Sequence, residues 1–144
     1  MPYCKHKDRD IEREQNMSKS KKLSHTIPDM AYDFTIDVEG SLTKKQYAGD
    51  FKCRIPTLKM RAQAELKNAE LNRGLEKDID PSIAQCHYMV SYLRITLTEA
   101  PEWWRKSDHG YELYDSNIVS AVYSVVMEFE EKWMKTVWGD EQNK

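Results

Sequence analysis

The chain has few of the residues that build covalent frameworks or reactive loops. Its three cysteines, Cys4, Cys53 and Cys86, are odd in number and far apart. They make no disulfide framework and fit a reducing cytosol. The five glycines are scattered, which leaves no glycine-rich loop to cradle a phosphate. No apolar run approaches the roughly 20 residues that span a bilayer. Acidic and basic residues nearly cancel, for a formal charge of -2. No global field therefore gathers nucleic acid or an anionic membrane surface. No apolar segment follows the charged opening from Cys4 to Arg9, so no secretory signal is expected. Internal repeats and low-complexity tracts are missing as well.

What is present suits one ordinary domain. Apolar residues make up 40% of the 144 and charged residues 32%, enough for a core with a well-solvated surface. Residues 1–29 are rich in Lys, Arg, Asp, Glu and Ser without a periodic apolar face, and read as a flexible charged arm. Met17, followed by Ser18-Lys19-Ser20-Lys21-Lys22, reads as an alternative start of translation, as does Met30.

From Met30 to about residue 138 the pattern predicts a single helical domain with an N-terminal hairpin. Tyr32, Phe34, Ile36 and Val38 alternate with polar residues, the period of a half-buried strand over 32–38. Glu39-Gly40-Ser41 supplies a turn. Tyr47, Phe51, Cys53 and Ile55 give a second such strand over 46–55. Asp33 and Asp37 are available to Lys52 and Arg54, and cross-strand pairs of this kind contribute a few tenths of a kcal/mol each, roughly. A lone hairpin is marginal in water. It must lie on the helices or add to another subunit's sheet edge.

Pro56 and Thr57 open a helix over 57–73, with Leu58, Ala62, Leu66 and Ala69 in a narrow stripe and Gly74 as its stop. Asp80-Pro81 opens a second helix over 81–99, apolar around much of its circumference. Residues 101–114 form a connector. Asp115 or Ser116 caps a third helix over 116–137, whose core positions are Ile118, Val122, Val125, Val126, Phe129, Trp133 and Val137. Gly139 stops it, and a polar tail remains over 139–144. The expected class is α+β, mainly α.

The search for chemistry returns little. His6, His25, His87 and His109 stand in no metal-binding spacing with one another or with a cysteine pair. Cys86 and His87 are adjacent on a helix, about 100° apart, and do not face each other. Glu128, Glu130 and Glu131 sit opposite or beside the apolar stripe of the third helix, where solvated charge belongs. Basic residues on the first helix, Lys59, Arg61, Lys67 and Arg73, are interleaved with Glu65 and Glu70, so no nucleic-acid patch stands out. No catalytic residue, metal or cofactor is expected. The Trp103-Trp104 pair is the most unusual local feature: either both rings staple the connector to the helices, or one plugs the core while the other meets solvent or a partner.

Several segments then carry a resemblance. Tyr47-Ala48-Gly49-Asp50-Phe51 leads to Ile55-Pro56-Thr57-Leu58 and an Ala-rich helix. An Asn72-Arg73-Gly74-Leu75 stop follows. Leu93-Arg94-Ile95-Thr96-Leu97 runs into Ala100-Pro101-Glu102-Trp103-Trp104, and Asp115 precedes an Ile/Val helix ending in Phe129. Over residues 44–134 this order resembles the tail assembly chaperones of long-tailed bacteriophages. The resemblance implies a mostly helical, non-enzymatic protein of the host cytoplasm. Such a protein binds the tape measure protein, helps the tail tube protein polymerise around it, and often has a longer frameshifted form. Helix-in-groove recognition would use Leu58, Ala62 and Leu66, or an exposed ring of Trp103 or Trp104. The plainer reading of each is a core position. Homo-oligomers remain open, no membrane is implied, and the alternatives are a structural tail protein kept in the virion or a small nucleic-acid-binding regulator.

Overall fold

The computed structural model describes residues 29–142. The arm expected at 1–29 lies outside them except for Asp29. The elements are β1 (Ala31–Glu39), β2 (Gln46–Arg54), α1 (Leu58–Asn72), α2 (Pro81–Thr96), β3 (Leu97–Glu99), α3 (Glu102–Lys106) and α4 (Ser116–Gln142). The class is α+β and mainly helical, as the periodicities predict. Met30 to Lys132 form one compact unit, and α4 from Trp133 onward is not part of it. Among the described residues no helix is long and apolar enough to cross a membrane.

The alternation read from the sequence sets the hairpin. β1 and β2 pair antiparallel in unbroken register from Ala31↔Arg54 to Glu39↔Gln46. Phe34, Ile36, Tyr47, Phe51 and Cys53 are buried on one face, and the residues between them face outward. The expected charge pairs are not those formed. Asp33 stands opposite Lys52 in register, but Asp37 accepts from Gln46 Nε2 and Arg54 Nε donates to the Ile55 carbonyl. No described ion pair joins the two strands.

Three helix boundaries depart from expectation. The second helix ends at Thr96, not 99, and its continuation becomes β3, which pairs with β2 through Cys53↔Leu97 and Lys52↔Glu99. Leu97 has extended backbone (φ -77°, ψ 121°) and its N–H still closes on the Leu93 carbonyl. Those three residues cover an edge of β2 that would otherwise be open. The connector over 101–114 holds the short helix α3. Then Asp108, His109 and Gly110 take positive φ in succession (52°, 54° and 90°), and Asp108 is held by Arg94 Nη1 at 2.8 Å. Gly139 does not stop the last helix, which continues to Gln142; the polar tail expected from 139 is helical in its first residues.

The core joins the inner face of the hairpin to Met89, Val90 and Leu93 of α2, Trp104, and Ile118, Val119, Val122 and Val126 of α4. Phe34 and Phe51 stack at 5.3 Å, and Trp104 meets Phe51 edge-on at 5.5 Å. Aromatic pairs of this geometry add to the area they bury.

Candidate partner-binding surface

α1 begins at Thr57, whose hydroxyl accepts from the Met60 N–H at 3.1 Å. It ends where Gly74 adopts φ 85°, a conformation glycine takes without a Cβ penalty. Only Ala64 on this helix is buried. Met60, Lys67, Asn68, Leu71 and Asn72 are half-buried around it, so the inward stripe runs 60, 64, 67, 71. The stripe read as core is the outward one. Leu58 is 84% exposed and Leu66 70%, with Ala62 and Ala69 exposed beside them. Apolar residues lie on both sides of this helix, and the small Ala64 lets it approach α2 where a leucine would hold it off.

Clefts border the inward side. One, of about 260 Å³, is lined by Arg61, Ala64 and Glu65 of α1, Tyr88 and Tyr92 of α2, and Met127 of α4. A second, of about 400 Å³, lies where Leu71 and Leu75 approach Ile83, Cys86, Val90 and Tyr111. Leu75, Ile83 and Tyr111 all leave substantial ring or aliphatic surface in solvent.

The two tryptophans differ in burial. Trp104 has no exposed surface and is not a contact residue. Gly110 lies against its ring so closely that a Cβ there would come within 2.6 Å. Trp103 is half-buried. Its indole N–H donates to the Ala48 carbonyl at 2.9 Å, and its ring meets Tyr47 edge-on. It lies on β2, while α1 lies on α2, so the five residues named from the sequence do not form one patch. Leu58, Ala62 and Leu66 do.

Sequence reasoning missed three polar centres. His87 is buried, while its neighbour Cys86 is only half-buried. The Asn72 amide nitrogen donates to Asn68, so its oxygen faces His87. His87 Nδ1 therefore carries the proton and donates at 2.7 Å, and Nε2 accepts from the Tyr111 hydroxyl at 2.9 Å. Both ring nitrogens are engaged in joining α1, α2 and the 110–114 segment. That is a structural role.

Glu130 is not the solvated charge that its place beside the apolar stripe suggests. It is 7% exposed, and the Tyr92 hydroxyl reaches both its oxygens at 2.5 Å. Burial pushes its carboxyl pKa up, against the Tyr92 hydrogen bond and the Arg61 charge. Burial, followed by the Glu130 bond, pushes the Tyr92 phenol well above its ordinary value. Tyr123 closes the cluster, edge-on to Tyr88 and Tyr92. Burial also pushes the Cys53 thiol up to about 11, with the Glu130 and Asp33 charges adding to it. A thiol so held stays protonated at neutral pH and is a poor nucleophile.

Asp115 was read as a helix cap, and its carbonyl does accept from Ile118 N–H. Its side chain turns the other way. Buried to 0% exposure, it accepts from the backbone N–H groups of Leu42 and Thr43, the Thr43 hydroxyl and the Tyr47 hydroxyl. Burial raises its pKa, but these donors outweigh burial and hold the carboxyl at about 2. Asn117 adds a second tie, accepting from Ser41 N–H and donating to the Glu39 carbonyl. The hairpin loop is thus fastened to the start of α4.

Among the described residues no group of three or more His, Cys, Asp or Glu side chains is placed to hold a metal ion. The comparisons with family models, curated proteins and solved structures return no match.

Proposed function

We propose that this chain is a non-enzymatic binding protein, a tail assembly chaperone that receives the tape measure protein of a long-tailed bacteriophage and assists tail tube assembly in the host cytoplasm. The observation that carries this is the outward face of α1. Leu58 and Leu66 lie two turns apart, 84% and 70% exposed, with Ala62 between them. Small residues between two projecting leucines let a second helix approach closely, and the leucines then fill the spaces between its side chains. Lys59, Arg61, Glu65 and Glu70 supply mixed charge around that stripe, which favours a polar rim over a purely apolar contact. The occupant is therefore an amphipathic client helix, the kind of segment a long helical tape measure offers in quantity.

The test is co-expression of the tape measure protein with this chain and with Leu58→Glu/Leu66→Glu. The wild-type chain keeps the client soluble and co-purifies with it; the double variant, folded as before, does neither. A client equally soluble without the chain, and absent from the purified fraction, ends the proposal. Mass spectrometry of purified virions separates the chaperone, which leaves, from a structural tail protein, which stays.

A further inference from the structure

The sheet order is β1-β2-β3. β3 pairs with β2 at Lys52 and Cys53, and on the other side of β1 no strand of the described residues pairs with Asp33, Thr35 or Asp37. The hydrogen-bond phase of that edge follows from its ends. Ile55 N–H donates to the Met30 carbonyl and Gly40 N–H to the Lys45 carbonyl, and the register between them is unbroken. Even-numbered residues of β1 therefore bond inward to β2, and the odd-numbered ones aim their N–H and C=O groups away from it. Those of Asp33, Thr35 and Asp37 meet no backbone partner among the described residues, and all three residues are exposed.

The strand Ala-Tyr-Asp-Phe-Thr-Ile-Asp-Val-Glu carries three carboxylates and no basic residue. This decides what can pair with it. A second copy adding its own β1 antiparallel, centred on Thr35, would set Asp33 opposite Asp37 twice. Like charges directly opposite are unfavourable, and charge on an edge strand is a known guard against self-pairing. A strand with Lys or Arg at alternate positions meets the same carboxylates favourably. On its other face, apolar residues would extend the row of Phe34 and Ile36.

We propose that the outer edge of β1 is a strand-addition site for an extended basic segment of a protein partner, with basic and β-branched residues alternating. It does not depend on the α1 reading. A client helix and an added strand use different surfaces, and either experiment can fail alone.

The probe is the peptide Thr-Lys-Val-Lys-Val-Lys-Thr, titrated into the full-length chain and followed by amide NMR. A second peptide of the same charge has its lysine backbone amides N-methylated, the ones that face β1 when the peptide adds antiparallel. The first peptide shifts the Asp33, Thr35 and Asp37 amides and slows their hydrogen exchange by about tenfold or more, because those N–H groups gain acceptors. The N-methylated peptide does not, and Asp33→Asn/Asp37→Asn weakens the first peptide by about tenfold through the lost charge pairs. The proposal is overturned if the first peptide does not bind at millimolar concentration. It is equally overturned if the shifts map away from β1, or if the N-methylated peptide binds as well as the first, which would make the contact one of charge alone.

Discussion

The Asp115 carboxylate occupies the space that a side chain at residue 40 would need: a Cβ on Gly40 would overlap it. Gly40 is required here by close approach and not by an unusual φ. The carboxylate then meets Leu42, Thr43 and Tyr47. Two buried carboxylates in this protein are thereby driven in opposite directions, Asp115 down by its many donors and Glu130 up with only one hydroxyl.

For Asp115 the folded pKa lies below the unfolded one. Its contribution is complete above the unfolded value of about 3.9 and is lost as pH falls through about 2. Asp115→Ala removes the acceptor of the Leu42 and Thr43 N–H groups and of the buried Tyr47 hydroxyl, lowering the urea midpoint at neutral pH. The loss should shrink as pH drops toward 2. A midpoint that differs from wild type equally at pH 7 and pH 2.5 would contradict this.

For Glu130 the folded pKa is raised, so the sign reverses. The protonated form is favoured on folding, and stability falls as pH rises through the folded pKa. Glu130→Gln keeps the shape and removes the titration. Unfolding followed from pH 4 to pH 8 should show a flatter profile for the variant and equal or greater stability at the upper end. Tyr92→Phe, which removes the donor, should steepen the decline.

The two faces of α1 respond differently to substitution. Leu66→Asp and Leu58→Asp leave stability within about 0.5 kcal/mol, as exposed positions do. Ala64→Leu overpacks the contact with α2 and costs about 1–3 kcal/mol. Urea titration of the three variants checks this, and a large loss at Leu66 would reverse the assignment of faces.

Trp104 and Trp103 separate in the same way. Trp104→Ala costs about 3–5 kcal/mol, while Trp103→Ala, at a half-buried ring with one hydrogen bond, costs less. Gly110→Ala also destabilises, since its φ of 90° is unfavourable and its Cβ would enter the Trp104 ring. Comparable midpoints for Trp104→Ala and Trp103→Ala would refute the distinction.

The hairpin and the inner turns of α4 were legible from their periods: Ile118, Val122 and Val126 are buried as expected, while Val125 and Phe129 are only half-buried. The orientation of α1 was not: Leu58, Ala62 and Leu66 compete with Met60, Ala64 and Leu71, and periodicity alone cannot choose between two modest stripes. β3 is three residues long, too short for a period. Glu130 was hidden by its chemistry and not by its position. It continues the series Ile118, Val122, Val126 at steps of four, which was the available signal. The Asp115 bridge spans 72 residues to Thr43, a relation no local pattern contains.

That span also sets an order of events during synthesis. The hairpin leaves the ribosome well before residue 115, and at about 5–20 residues per second the interval is roughly 4–14 s. For that time the Leu42 and Thr43 amides lack their acceptor, and the core around Phe34 and Phe51 lacks α4. A chain interrupted before Asp115 would present a sheet whose apolar face lacks the cover of α4 and whose hairpin loop has no carboxylate to hold it.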